Sequence, residues 1–262
     1  MSVRKLNVRT CDLDESLDRA GFRHSAASIA ERIGAERLGA AVYEAQAGHP
    51  IWPYHYHHAV EEWIYVISGE PVLRDAGGER ALTGGDLTCF PPGYAGAHTA
   101  SGPGRFIVLS TDAPGPYIAV YPDSDKVAVA VDERNVLVLP RGASVDYWHG
   151  EGTESLTDPV QVPREPAAPS RPVVNALTVA LAAGSGGAAL GATLGAGRLE
   201  ATVLELGPGE AAGDYSYAYG CEEWVLVFST TGFPVNVSYP DSGSWEMRNG
   251  PGVEEVVAPS GE

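Results

Sequence analysis

Short runs of β-branched and aromatic residues recur along the chain, bounded by glycine, proline, aspartate or asparagine. Arg37–Glu44, Glu62–Ile67, Phe106–Ser110, Tyr117–Val120, Lys126–Val131 and Val136–Leu139 each read as a strand on that pattern. Asp75-Ala76-Gly77-Gly78 reads as a hairpin turn between Val72–Arg74 and Glu79–Leu82. Asp14–Arg19 suggests a short helix, and nothing long and helical follows it. Regular short strands with turn signals predict an all-β sandwich or barrel.

The pattern also repeats. Residues 33–63 align without a gap on residues 194–224 at an offset of 161, with 13 identities in 31 positions. Among them Glu61-Glu62-Trp63 meets Glu222-Glu223-Trp224, and Tyr54 and Tyr56 meet Tyr215 and Tyr217. An internal duplication explains this better than chance. Between the copies, residues 152–172 carry five prolines (Pro159, Pro163, Pro166, Pro169, Pro172) and no apolar periodicity, the signature of an extended linker. The expected organisation is a first domain over 1–151, a linker over 152–172 and a second domain over 173–262. The second copy is short of strands, and the N-terminal segment Val3–Arg9 is one candidate to supply them.

Composition narrows the function classes. The chain has 17 Lys+Arg against 34 Asp+Glu, a formal charge of −17, and no basic cluster, so nucleic acid and anionic membrane surfaces are not expected partners. Its three cysteines, Cys11, Cys89 and Cys221, show no C-x-x-C spacing, which fits a reducing, cytoplasmic setting without a disulfide framework. No apolar leader follows Met1, and the uncharged stretch 172–197 is too rich in Gly, Ala, Ser and Thr for a membrane span.

The candidate chemistry lies in the first copy. His55 and His57 alternate onto one strand face, while Tyr54, Tyr56 and His58 point the other way. Glu62 follows on the next strand, and His98 comes after the turn Pro91-Pro92-Gly93. Three imidazoles and a carboxylate suit a divalent transition metal, iron, manganese, nickel or zinc, over calcium or magnesium. The stretch reads H-x-H, four residues, E, six residues, G, and Gly85-Asp86 through Gly93 leads into His98. This arrangement resembles the two motifs of the cupin family, with four residues between Gly93 and His98 where two are commoner. The resemblance implies two cupin-type jelly-roll β-barrels, the second degenerate. It implies a mononuclear metal centre of His55, His57, Glu62 and His98, with Glu62 preferred over Glu61 by its spacing to Gly69. Homodimerisation is a further expectation from it.

In the second copy Ser216 and Ala218 replace His55 and His57 while Glu223 stays, so no second metal centre is expected. Glu62 and, from the loop before His98, Tyr94 are the candidate catalytic groups. Cys89 is expected as a buried thiol that faces the barrel interior, and Arg37, Arg74 and Arg105 are candidates for a substrate carboxylate. The favoured function is a metal-dependent enzyme on a small organic molecule, iron(II) dioxygenase-like chemistry ahead of isomerase or lyase chemistry. The alternative is a non-catalytic module that binds or senses a small molecule around a structural metal.

Overall fold

The computed structural model describes residues 4–111, 117–132, 135–145, 149, 165–212, 222–228, 235–239, 243–247 and 254–258. Two antiparallel layers face each other. The first is a seven-stranded sheet in the order Val173–Asn175, Asp86–Phe90, Glu62–Gly69, Gly104–Thr111, Leu38–Ala45, Phe22–Ser28, Glu15–Arg19. The second contains a four-stranded sheet, Asn135–Pro140, Lys126–Asp132, Tyr117–Tyr121 and Tyr56–His57, and a three-stranded one, His98–Ser101, Val72–Asp75 and Gly78–Ala81. A two-way backbone pairing of His55 with His98 joins these into one layer. The fold is all-β, as the strand pattern predicts, and a jelly roll, as the resemblance implies.

Glu15–Arg19 is a strand, which corrects the expected helix. It is too short to sustain a helix alone. Ala20 (φ 52°) and Gly21 (φ 90°) both adopt positive φ, the turn that suits a two-residue hairpin onto Phe22–Ser28.

Glu62–Gly69 shows why the sheet is apolar on both sides. Ile64 and Val66 face inward and pack with Phe90, Phe106 and Leu73. Trp63, Tyr65 and Ile67 face the opposite way and are buried too. They lie under Ile29 and Ile33 from the N-terminal region and under Leu190 and Leu194 from the second copy. Cys89 belongs to that outer group, so the thiol is buried but does not face the barrel interior as expected. Burial, followed by the charge of Glu61, pushes it up to about 12. Gly69 lies at φ 91°, and a Cβ there would meet the Pro103 carbonyl at 2.6 Å, so the motif glycine is required twice over.

The repeat reappears as reciprocal contacts. Fully buried Glu61 accepts backbone N–H groups of Gly197 (2.7 Å), Arg198 (3.2 Å) and Leu199 (2.9 Å), and the Trp63 indole N–H (3.0 Å). Glu222, its counterpart, accepts those of Glu36 (3.1 Å), Arg37 (2.6 Å) and Leu38 (3.3 Å), and the Trp224 indole N–H (2.7 Å). The two sets correspond residue for residue at the offset of 161. Helices Ile29–Ile33 and Gly191–Leu194 each precede one of these amide loops and end on a left-handed glycine, Gly34 and Gly195.

Edge strands are exchanged as well. Val173–Asn175, where the second copy is expected to begin, pairs with Asp86–Phe90 in the first. Arg4–Asn7 pairs with Glu254–Ala258 in the second, in keeping with the role expected of the N-terminal segment. Asn7 and Asn175 both then fold back onto N–H groups that follow them. Ser216, Tyr217 and Ala218, most of the linker and the tail 259–262 lie outside the described residues.

Each clasp satisfies four donors with one carboxylate, and hydrogen bonds to a charged acceptor contribute about 1.5–3 kcal/mol each. Glu61→Ala is expected to cost at least about 3 kcal/mol in chemical denaturation, and Glu222→Ala less because that side chain is only partly buried. An unchanged midpoint for Glu61→Ala would show that the clasp contributes nothing.

Candidate metal centre

His55 and His98 sit directly opposite each other, with His55 N–H donating to the His98 carbonyl (3.1 Å) and His98 N–H to that of His55 (2.8 Å). His57 is on the next inward position of the same strand, and its carbonyl accepts the Gly93 N–H at 2.7 Å. The longer spacing between Gly93 and His98 has a structural use. Tyr94–Gly96 form a 3-10 turn, and a Cβ on Gly96 would meet the Pro91 carbonyl at 2.0 Å. That close turn delivers His98 to its place opposite His55.

Second contacts set the ring orientations. His55 Nδ1 lies 3.0 Å from the Pro53 carbonyl and His98 Nδ1 2.9 Å from the Gly96 carbonyl. A carbonyl only accepts, so each Nδ1 carries the proton and each neutral ring turns an unprotonated Nε2 inward. Inside, His55 Nε2 is 3.0 Å from His57 Nε2. Glu62 Oε2 lies 3.3 Å from His57 Nε2, 3.6 Å from His98 Nε2 and 3.8 Å from His55 Nε2. His55, Glu62 and His98 each place a ligand atom within 4.8 Å of the others.

Burial, then the neighbouring His98, pushes His55 down to about 3, and burial lowers His98 as well. Burial works to raise Glu62, but the His57 contact and the three imidazoles outweigh it and bring the carboxyl to about 2. At neutral pH His55 and His98 are therefore neutral beside the ionised carboxylate of Glu62. Glu62 Oε2 and His98 Nε2 are buried without a hydrogen bond. Lone pairs crowded in this way repel unless a cation lies among them. Two ligand atoms at right angles around an ion with bonds of about 2.1 Å stand about 3 Å apart, so the spacing fits a single transition-metal ion.

Aromatic rings pack this cluster on several sides. Phe90 stacks on His98 at 3.7 Å, and Trp52 sets its edge against both His55 and His98 at 5.9 Å. Tyr121 stacks on His55 and Tyr117 meets His57, each at 5.8 Å between centroids. Tyr43, beside Trp52, has its phenol pushed up to about 12 by burial and by the Glu62 charge.

The structure gathers His55, His57, Glu62 and His98, the four residues singled out from sequence. It does not bring Tyr94 to them. The Tyr94 ring meets Tyr56 edge-on at 5.7 Å and belongs with Tyr54 on the face that points away from the imidazoles, so its expected part in proton transfer loses its geometric basis. Strand alternation separates Tyr54 and Tyr56 from His55 and His57, and Tyr94 follows the former pair. Tyr117 and Tyr121 are the tyrosines at the cluster, unseen in the sequence because their strand reaches the site only through its pairing with Tyr56–His57. Arg74 is committed to Asp123 (2.5 and 2.9 Å), and Arg105 to Glu44 and the carbonyls of Val8 and Cys11. Neither is available to a substrate carboxylate.

Metal-free protein should be weakened by mild acid. A histidine held neutral when folded takes up its proton on unfolding, so its contribution is complete above its ordinary value of 6.5 and is lost as the pH falls below that. Lowering the pH from 7.5 to 5 is expected to depress Tm more in metal-free wild type than in metal-free His98→Asn. Equal pH slopes in the two proteins would contradict the burial of a neutral imidazole.

Comparison with known proteins places these residues in context. Residues 41–111 match the Cupin_2 family model, described as a cupin domain. No curated protein matches the chain in sequence. Among solved structures, a protein described as a sugar phosphate isomerase from Acidithiobacillus ferrooxidans is 22% identical, with a TM-score of 0.44 over 48% of this chain and 81% of that one. A sugar phosphate isomerase of the cupin superfamily from Silicibacter pomeroyi is 24% identical, with a TM-score of 0.41 over 46% and 78%. A cupin-like protein from Thermotoga maritima is 19% identical, with a TM-score of 0.33 over 42% and 88%.

Proposed function

The chain carries a domain of the cupin superfamily over residues 41–111, and from that premise we propose a metal-dependent enzyme acting on a small organic molecule. His55, His57, Glu62 and His98 hold one divalent ion, with iron(II) favoured over zinc, manganese or nickel. The observation that carries this reading is the pair of inward, unprotonated Nε2 atoms of His55 and His98 facing Glu62 Oε2, an oxygen buried without a hydrogen bond. When bound, the ion supplies a Lewis-acid centre and, as iron(II), one-electron chemistry with dioxygen.

The protein's own groups do the rest. The carbonyls of Pro53 and Gly96 fix two rings, and Phe90 and Trp52 exclude water from one side. The four side chains would hold the ion and leave it open to a substrate atom. Residues 173–262 act in this reading as a degenerate second copy that covers the outer sheet face, over the domain limits given above.

Elemental analysis of anaerobically purified protein tests the reading. About one equivalent of iron is expected in wild type, with a loss of at least about tenfold in affinity for His57→Ala and Glu62→Gln, and no loss for Tyr94→Phe. Zinc, manganese or nickel in its place would redirect the chemistry to isomerisation or elimination. Absence of metal from freshly isolated wild type, with no uptake on titration, would leave a non-catalytic binding module.

We also propose a homodimer. Val136, Leu137, Val138 and Leu139, consecutive on a sheet-edge strand, are 46%, 56%, 52% and 41% exposed, an apolar edge that favours pairing with a second copy. Sedimentation should give a dimer that Leu137→Lys converts to monomer. A monomeric wild type would refute this.

A further inference from the structure

The chain has two lysines, Lys5 and Lys126, against 34 acidic residues. Lys126 is the direct cross-strand partner of Tyr121, so both side chains leave the sheet on one face. Tyr121 is stacked on His55, and Lys126 Nζ lies 4.8 Å from the centre of the Tyr121 ring. Among the described residues no carboxylate pairs with this ammonium, whereas Arg74, Arg80, Arg105 and Arg141 each have an acidic partner. An ammonium held only over a ring is weakly committed, at about 0.5–1 kcal/mol, and can turn to an anion.

A second group at the cluster lacks a partner. Trp52 Nε1 is buried without an acceptor, and its ring lies against His55 and His98. A buried N–H left unbonded costs about 1–3 kcal/mol, recovered when a ligand supplies an acceptor. Tyr43 meets Trp52, while Tyr117 and Tyr121 meet His57 and His55, so the rings around the cluster suit a flat body.

From this juxtaposition we infer that the ligand is a flat, ring-bearing monoanion. Lys126 receives its carboxylate or enolate, and Trp52 donates to one of its oxygens. Lys126 supplies one ion pair at this wall, which a single carboxylate or enolate takes up. The inference rests on the cluster being a ligand site, but it concerns the wall and not the ion. Lys126 and Trp52 are thereby specificity-determining residues.

Benzoate and benzamide, of nearly equal shape and different charge, are the probes. Calorimetric titration would compare wild type, Lys126→Met, Lys126→Arg and Trp52→Phe, each with and without added iron(II) under anaerobic conditions. Wild type should bind benzoate about tenfold more tightly than benzamide, one ion pair's worth. Lys126→Met should abolish that preference with benzamide affinity unchanged, Lys126→Arg should retain most of it, and Trp52→Phe should weaken both probes.

Equal binding of the two probes, a preference that survives Lys126→Met, or no binding of either at millimolar concentration would each overturn the inference. A charge preference seen only with iron and insensitive to Lys126 would assign anion binding to the metal alone, which also overturns it. Metal uptake is measured separately, so its failure leaves the Lys126 comparison readable in metal-free protein.

Discussion

The paired backbone hydrogen bonds between His55 and His98 hold together both the second layer of the jelly roll and the four-residue cluster inside it. They join the sheet that carries Tyr56–His57 to the sheet that carries His98–Ser101. Because the pairing is between the histidines themselves, any slip of register would move an imidazole off the inner face. Tight turns on either side fix the register. Pro53 and Gly96 supply carbonyls to the ring nitrogens, and Gly96 lets the chain pass close to Pro91. Sheet closure and the orientation of the donor atoms thus depend on the same few backbone atoms.

The reciprocal carboxylates explain what the repeat retains. His55 and His57 have no counterparts in the second copy, yet Glu-Glu-Trp stands in both. The first glutamate of each triplet binds the amide loop of the other copy and its own tryptophan indole. Substitution of the imidazoles leaves this contact intact, while loss of Glu222 would strand three amides in the first copy. The second copy also covers Trp63 and Ile67, which would otherwise expose an apolar sheet face. Among the described residues, retained Arg198, Leu199 and Glu222 all contact the first copy.

Charge is distributed unevenly. The chain is strongly acidic, but the cluster holds one carboxylate among imidazoles and aromatic walls. Low local dielectric strengthens every interaction of that carboxylate, whether with an ion or with an approaching anion. The surrounding rings supply shape and dryness without charge. Lys126, over Tyr121, is the cation that the sheet pairing brings to this side.

Strand runs, turn glycines, the duplication and the four clustered residues were legible in the sequence, because each depends on local spacing: period two along a strand, positive φ at a turn, fixed offsets within a motif. The sequence alone therefore determined an all-β fold and pointed to His55, His57, Glu62 and His98. Only the tertiary structure decided which other residues meet them. Tyr94 is near His98 in the chain yet belongs to the opposite strand face, whereas Tyr117, Tyr121 and Lys126 arrive through cross-strand pairing that no local pattern encodes. Glu61 and Glu222 are likewise ordinary acidic residues in sequence. Their roles follow from amides more than a hundred residues away, a distance over which local propensity carries no information.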